Sequence, residues 1–352
     1  AVMRRAIDLA RNDHPHPNPR VGAVVLDKAG KVIGEGSHLG PGSPHAEVVA
    51  LQGAQGSARG GTVIVTLEPC THQGRTPPCV EALLEAGVAR VVIGAGDPDP
   101  RVSGRGIAQL RSQGLEVEAG VLADEAEALD PSYFHHRRTG RPRITLKAAL
   151  TLDGQIAAAD RSSRWITGDE AREDAHRQRS QVDAVIVGGG TVISDDPRLD
   201  VRLPGYGGPQ PRPVLIVGKR TPSTDAAVFE RNPLVIAARE VTLPGERVTV
   251  DGAPDGRPDL KAAFAVVGEH GYLDVLVESG PGLAASLWRD RLIDRGVFYL
   301  AGRIAGGQGL SAFAGAWNTL EDSRQIEILD VKRLGSDLRI DWISAGPGRF
   351  GP

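Results

Sequence analysis

Only 4% of the residues are aromatic, and neither sign of charge prevails: 41 lysines and arginines stand against 44 aspartates and glutamates, a formal net charge of −3. That balance argues against a global attraction to nucleic acid or to an anionic membrane. The shortage of rings leaves few platforms on which an extruded base could stack. Long apolar runs are missing as well, and none approaches the roughly 18 residues that a membrane-spanning helix requires. The opening stretch "AVMRRAIDLARND" lacks the apolar core and small-residue cleavage site of a secretory signal, so a cytoplasmic protein is expected. Cysteine is scarce, with two in 352 residues. The second half also has no G-x-G-x-x-G between a strand and a helix, the fingerprint by which a dehydrogenase often announces itself.

What is present is a chain 40% hydrophobic and long enough for two domains. "VMRRAIDLAR" has helical spacing and gives way to "NDHPHPNPR", whose prolines cannot continue a helix. Two strands then flank a "DKAG" turn, and a helix starts close to His45. "TVIVTLE" and "RVVIGAG" read as strands around the helix "PPCVEALLEAG", and "GRGIAQLRSQG" with "LEVEAG" repeats the unit. Such alternation means helices packed over a mostly parallel sheet, an α/β architecture. "FHHRRTGRPR" is polar, basic and aperiodic, and a fresh strand, "RITLKAAL", follows it, which places domains at 1–142 and 143–352. The second half alternates again, from the helix "GDEAREDAHRQRSQ" to the helix "GLAASLWRDRL". "RGVFYLAG", "RQIEILDVKRLG" and "SDLRIDWI" are expected as an antiparallel edge, and "LPGYGGPQPRP" as a surface loop.

Both cysteines fall in the first half, each preceded by proline. Cys70 follows a buried strand, and Cys79 lies in the first turn of the next helix. Outward-pointing amides at such places favour thiolate. His45, at the start of the preceding helix, adds an imidazole, and one histidine with two cysteines describes a tetrahedral zinc site with an open corner for water. Glu47, two residues past His45, is placed to shuttle protons between that water and a departing amine. His-x-Glu followed by Pro-Cys and a second Cys is the pattern of the zinc deaminases, although their cysteines are spaced C-x-x-C and "THQGRTPP" intervenes here. A disulfide, a closed structural site completed by His72, and plain core cysteines are the competing readings.

In the second half, Gly188, Gly189 and Gly190 follow the strand "DAVIV", and Ser279, Gly280, Pro281 and Gly282 separate the strand "LDVLVE" from a helix. Free amides at a helix start beside glycines suit a dinucleotide pyrophosphate, though glycines at such turns also occur with no ligand.

"PNPRVGAVV", "PHAEVVAL", "VTLEPCTHQGRTPPC", "DPDP", "LKAALTLDGQIA", "SRWIT", "VGGGTVISDDPRLDVR" and "VESGP", in this order over nearly the whole chain, resemble the bifunctional riboflavin-biosynthesis deaminase/reductase family. The resemblance implies a cytidine-deaminase-like three-layer domain followed by a dihydrofolate-reductase-like domain. It also implies two reactions: removal of the exocyclic amine from a phosphoribosylamino-pyrimidine, then NADPH reduction of the ribosyl group to ribityl. The cofactors implied are Zn2+ and NADPH, and the partners are small molecules, with a homo-oligomer left open. By the same resemblance Asn18, His38, His72 and Arg75 would hold the deaminase substrate. Lys147, Ser163, Arg179, Leu199, Arg202 and Glu278 would meet the reductase substrate, with Arg179 and Arg202 as phosphate clamps. Trp165, Thr191, Asp195 and the run Gly280, Pro281, Gly282, Leu283, Ala284, Ala285, Ser286 would bind NADPH. Bland roles compete: a turn cap for Asn18, a surface position at a strand end for His38, a solvated loop charge for Arg75, core packing for Trp165, and a turn before Pro197 for Asp195 and Asp196. The chain departs from the family where Asp99 and Asp130 replace asparagine and Thr151 replaces serine. Rival functions are a deaminase of a nucleic-acid base or free nucleoside, a non-catalytic dimerisation module in the second half, and a zinc-stabilised binding protein.

Overall fold

In the computed structural model, which describes residues 1–11, 15–73, 76–315 and 319–344, the chain divides into two units, Ala1–Gly140 and Arg141–Pro352. The first carries, in chain order, α1 (Val2–Arg11), β1 (Gly22–Leu26), β2 (Val32–Ser37), α2 (Ala46–Gly53), β3 (Thr62–Leu67), α3 (Cys79–Glu85), β4 (Arg90–Ala95), α4 (Arg105–Ser112), β5 (Glu116–Ala119), α5 (Ala123–Glu127) and α6 (Pro131–Thr139). Its five strands run in the order β2-β1-β3-β4-β5. The β1 pairings are antiparallel, and β3-β4-β5 are parallel. Met3, Ala6, Ile7 and Ala10 form one face of α1, as the helical spacing requires, and bury it against Val24 and Ile64. β2 lets α2 approach unusually closely: a Cβ on Gly34 would lie 2.1 Å from the Ala50 carbonyl oxygen, and one on Gly36 2.5 Å from that of Ala46. Those two glycines set where α2, and so His45 at its start, can lie.

The second unit carries β6 (Arg143–Thr151), β7 (Gln155–Ala157), α7 (Asp169–Arg179), β8 (Ala184–Gly188), α8 (Gly189–Asp195), β9 (Arg212–Val217), β10 (Leu234–Ala237), β11 (Glu246–Thr249), α9 (Leu260–Glu269), β12 (Asp274–Glu278), α10 (Pro281–Arg289), β13 (Arg295–Ala301), β14 (Leu310–Ser311), β15 (Ile326–Leu334) and β16 (Asp337–Ser344). Nine of these strands make one sheet, β11-β10-β9-β8-β12-β6-β13-β16-β15. Its central strands are apolar on both faces: Ile186, Val214 and Ile236 join one core, while Val185, Leu215 and Val235 join the other. A sheet covered on both sides produces such continuous runs.

Two sequence expectations need correction. "RGVFYLAG" is not an antiparallel edge strand: β13 runs parallel to β6, and only its other neighbour, β16, is antiparallel. "FHHRRTGRPR" is not an aperiodic link, because most of it lies in α6. Asp130 caps that helix by accepting from the Tyr133 amide, Pro131 occupies the first turn, and Gly140 ends it in the left-handed conformation. The helix α8, which Gly189 and Gly190 begin, was not among the expected elements.

Candidate active sites

In the first unit, His45 precedes α2, Cys79 begins α3, and Cys70 lies in the turn after β3. Their donor atoms converge within 4.8 Å of one another. The sulfurs are 3.6 Å apart, and His45 Nδ1 lies 3.6 Å from Cys70 Sγ and 2.9 Å from Cys79 Sγ. A disulfide, with sulfurs about 2.05 Å apart, is excluded. A tetrahedral zinc bonded to sulfur at about 2.3 Å and nitrogen at about 2.0 Å would hold the sulfurs about 3.8 Å apart and nitrogen about 3.5 Å from each. Two of the three edges match, and the His45–Cys79 edge is shorter. The donor set therefore fits zinc.

The protein shifts all three donors, Cys70 toward the thiolate that a metal needs, Cys79 and His45 toward their protonated forms. The Cys79 thiol and backbone amide both donate to Cys70 Sγ, the amide at 3.4 Å, and hold Cys70 down at about 4. The same hydrogen bond between the two sulfurs, followed by burial, pushes Cys79 up. The sulfur of Cys70 raises His45 by hydrogen bonding. His45 Nε2 is 3.2 Å from Thr76 Oγ1. Donating that N–H leaves the Nδ1 lone pair for a metal, an orienting role of the kind that outer groups play around ligating histidines. Thr76 carries no signal of this in the sequence beyond its place in "GRTPPC".

Glu47 is 3% exposed, and burial raises its carboxyl above the usual range. It opens on a cavity of about 170 Å³ shared with Asn18, His38, His45, Cys70 and His72. His38 is not a surface residue: it is 3% exposed, its Nδ1 lies 3.2 Å from the Pro44 carbonyl, and its Nε2 lies 2.9 Å from Asn18 Nδ2. With Nδ1–H donated to that carbonyl, Nε2 accepts from the Asn18 amide and orients it. His72 lines the cavity but is not part of the converging donor group, so a closed site completed by it is not formed. Arg75 lies outside the described residues.

The cavity is also lined by both aspartates of "DPDP", to which the sequence assigned no role. Asp99 is gripped by Arg101, with Nε 3.0 Å from Oδ1 and Nη2 2.6 Å from Oδ2, which holds its carboxyl at about 2. Burial does the opposite to Asp97, raising it to about 6 against hydrogen bonds from the Asp99 amide at 2.9 Å and the Tyr133 hydroxyl at 3.1 and 3.2 Å. Its folded pKa stands above the roughly 3.9 of an unfolded aspartate, so ionised Asp97 costs the native state on the order of 3 kcal/mol at neutral pH. That cost fades as pH falls through 6 toward 4. Urea unfolding of the first unit should therefore shift to higher midpoint between about pH 7.5 and about pH 5 in the parent, and Asp97→Asn should flatten that rise. Equal slopes in the two proteins would contradict it.

In the second unit a cavity of about 1740 Å³ opens where β8, β9 and β12 end. The carboxyl ends of parallel strands are the usual ligand edge of such sheets. Lys147, Ser163, Trp165, Arg179, Thr191, Asp195, Leu199, Arg202, Glu278, Gly280, Pro281, Gly282, Leu283 and Ser286 all line it. Ala284 and Ala285 do not, and the Ala284 side chain is buried in the core. The Leu199 side chain is likewise in the core, at 1% exposure. Trp165 is 61% exposed with Arg172 over its ring, which excludes core packing for it. Thr191 Oγ1 accepts the Gly280 amide at 3.1 Å, tying the two glycine-bearing turns together. Asp196 serves the turn, ending α8 and accepting from the Ala227 amide, while the Asp195 carbonyl accepts from Arg164.

Arg179 is not a free phosphate clamp. Its Nε and Nη2 bond both oxygens of Glu278 at 2.5 and 3.0 Å, and its Nη1 donates to the Asp200 carbonyl at 2.9 Å. Lys147 Nζ completes this buried group, 3.5 Å from Glu278. The two cations outweigh burial and hold the Glu278 carboxyl well below its usual range. Arg202 is paired with Asp200 but remains half-exposed. Twelve lysines and arginines line the whole cavity against eight carboxylates, so it is positive in a chain of net charge −3. It suits a polyanionic ligand.

Residues 1–95 match the family described as the cytidine and deoxycytidylate deaminase zinc-binding region, and residues 142–340 match the RibD C-terminal domain. The riboflavin biosynthesis protein RibD of Aquifex aeolicus is 40% identical over 345 residues, 96% of each chain. Its Escherichia coli counterpart is 36% identical over 364 residues, 97% of this chain and 98% of its own. Among solved structures, Acinetobacter baumannii RibD superposes with a TM-score of 0.86 at 35% identity, covering 98% of both chains. The Thermotoga maritima diaminohydroxyphosphoribosylaminopyrimidine deaminase/5-amino-6-(5-phosphoribosylamino)uracil reductase does so with a TM-score of 0.82 at 35% identity over 97% of both. Among the described residues no helix is long and apolar enough to cross a membrane.

Proposed function

Because the chain belongs to the bifunctional riboflavin-biosynthesis deaminase/reductase family, we propose that it acts on the two phosphoribosylamino-pyrimidines for which the Thermotoga maritima relative is named. The first would lose its exocyclic amine in the 170 Å³ cavity, and the product would be reduced in the larger one. The observation that carries this reading is the convergence of His45, Cys70 and Cys79 beside a buried carboxylate, Glu47.

His45, Cys70 and Cys79 would hold the zinc. When bound, zinc supplies the Lewis acidity that makes water nucleophilic at neutral pH. Glu47 takes the proton of the attacking water and passes it to the amine nitrogen, which leaves as ammonia while the ring carbon keeps the oxygen. Its raised pKa suits both halves of that transfer. Asn18, aimed by His38, offers its amide to the pyrimidine ring, and His72 lines the same cavity.

In the second unit the reduced nicotinamide of NADPH, when bound, supplies the hydride. The chain's own task there is placement. The start of α10 offers the amides of Gly282 and Leu283 to the pyrophosphate, since Pro281 has no N–H and the Gly280 amide is held by Thr191, and Trp165 offers an exposed ring face. Arg202 and Lys147 are the cations nearest in role to the phosphoribosyl group, Lys147 sharing its charge with Glu278.

Metal analysis combined with two assays tests the reading. The purified chain should hold one zinc per His45–Cys70–Cys79 group, release ammonia only from the diamino-pyrimidine, and consume NADPH only with the deaminated one. Ammonia release that survives complete removal of zinc, or an absence of NADPH consumption, would overturn the corresponding half.

A further inference from the structure

Pockets that enclose a whole small ligand usually measure about 300–1,000 Å³. The cavity beside Glu47, at about 170 Å³, is smaller. It can enclose a pyrimidine ring, while a phosphoribosyl arm has to lie at its mouth. Four carboxylates line it, those of Glu47, Glu68, Asp97 and Asp99, and among the described residues the lining side chains of fixed positive charge are Arg101 and Arg137. A phosphate at the mouth is drawn to these two. Asp99 sets the position of both. It is 5% exposed and stands where the family resemblance expects asparagine. Its Oδ1 accepts the Arg101 amide at 2.9 Å and Nε at 3.0 Å, and its Oδ2 accepts Nη2 at 2.6 Å. One edge of the Arg101 guanidinium is thereby fixed on the carboxylate, and the opposite edge, at Nη1, has no hydrogen-bond partner among the described residues, on a side chain 66% exposed. Arg137 arrives from α6. Its guanidinium lies over the Tyr133 ring, 5.2 Å from the centroid, and its Nε, 3.7 Å from Asp99 Oδ2, makes no hydrogen bond. One carboxylate between two guanidiniums leaves one positive charge over.

We propose that Arg101 and Arg137, braced by Asp99, receive the phosphate of the deaminase substrate. This rests on the reading of the smaller cavity as the deaminase site. A bare aspartate at the mouth would repel a phosphomonoester, whereas an aspartate that carries two guanidiniums aims their remaining donors outward, and forked N–H groups suit terminal phosphate oxygens. The brace also restricts a long side chain before the ligand arrives, so less freedom is lost on binding. Asp99 and Arg101 are therefore one unit. An asparagine at position 99 needs no compensating cation, and an aspartate does.

Ammonia release by the zinc-loaded full chain, measured with the phosphorylated diamino-pyrimidine and with the same compound lacking its phosphate, tests the assignment. The readout is the ratio of the two kcat/KM values. In Arg101→Ala that preference for the phosphate should fall at least about tenfold from the parent's, mainly through KM. The double variant Asp99→Asn/Arg101→Ala should recover at least about threefold of the loss, because the carboxylate left bare in the single variant repels the phosphate. Raising salt should lower the parent's preference as well. A Tm close to the parent's, expected for a side chain this exposed, excludes misfolding as the cause, and Arg101→Gln gives the same readout if the alanine variant does not fold. The assignment is overturned if Arg101→Ala loses equally on both compounds, if it keeps the parent's preference, or if the double variant is no better than the single one. A parent that releases ammonia from neither compound would overturn the deaminase reading itself, which is a different failure.

Discussion

Glu47→Gln should slow ammonia release by about 10²–10⁴-fold while zinc content stays at that of the parent. The substitution keeps the shape of a side chain that is 3% exposed and removes only its capacity to take and return a proton. Because burial already disfavours the ionised carboxyl, the amide should cost the fold little. NADPH consumption with the deaminated pyrimidine should be unaffected, since Glu47 and the larger cavity belong to different units. Loss of zinc together with loss of turnover would instead make Glu47 a support of the donor set, and full activity would remove it from the chemistry.

The largest effect on stability is expected from Glu278→Ala. This carboxylate lies between Arg179 and Lys147, with side-chain exposures of 13%, 13% and 19%. Removing it leaves two cations facing each other with no counter-charge, a change worth about 3–5 kcal/mol for buried pairs. The calorimetric transition of the second unit should fall by on the order of 10 °C. The sign with respect to pH is distinctive. A depressed carboxyl pKa contributes stability that is present above the unfolded value, about 4.3, and lost only as pH falls through the still lower folded value. The deficit of the variant should therefore be the same at about pH 6 and about pH 8. The deaminase transition should not move. A second-unit transition that stays within a degree or so of the parent would show that the two cations reach solvent on their own.

The parts of this molecule that its sequence makes readable are those whose signals are local. Strands buried on both faces read as apolar runs, and Cys79 could be placed at a helix start because prolines precede it and a glycine follows the helix. α6 carried equally local signals, an aspartate cap, a proline and a terminal glycine, but its polar middle masked them. Other features are not local at all. Glu68 accepts the amides of Gly106 at 2.9 Å and Ile107 at 3.2 Å and so caps α4 from 38 residues away. Thr76 meets His45 across 31 residues. Arg179 offers the sharpest contrast: the family resemblance suggested a phosphate ligand, yet a carboxylate 99 residues later takes up its charge. Composition identifies a cation but not the partner that folding gives it.

The glycines of β2 carry a consequence for how this enzyme can vary. Neither Gly34 nor Gly36 bears a functional group, yet a single methyl at either place would collide with the main chain of the helix that His45 begins and Glu47 rides on. Displacing that helix by even an ångström would pull the imidazole and the carboxylate away from two sulfurs held elsewhere. Random mutagenesis should thus recover dead deaminases at these silent-looking positions as readily as at the ligands themselves, and designers who graft new specificities onto the pocket must leave that strand untouched.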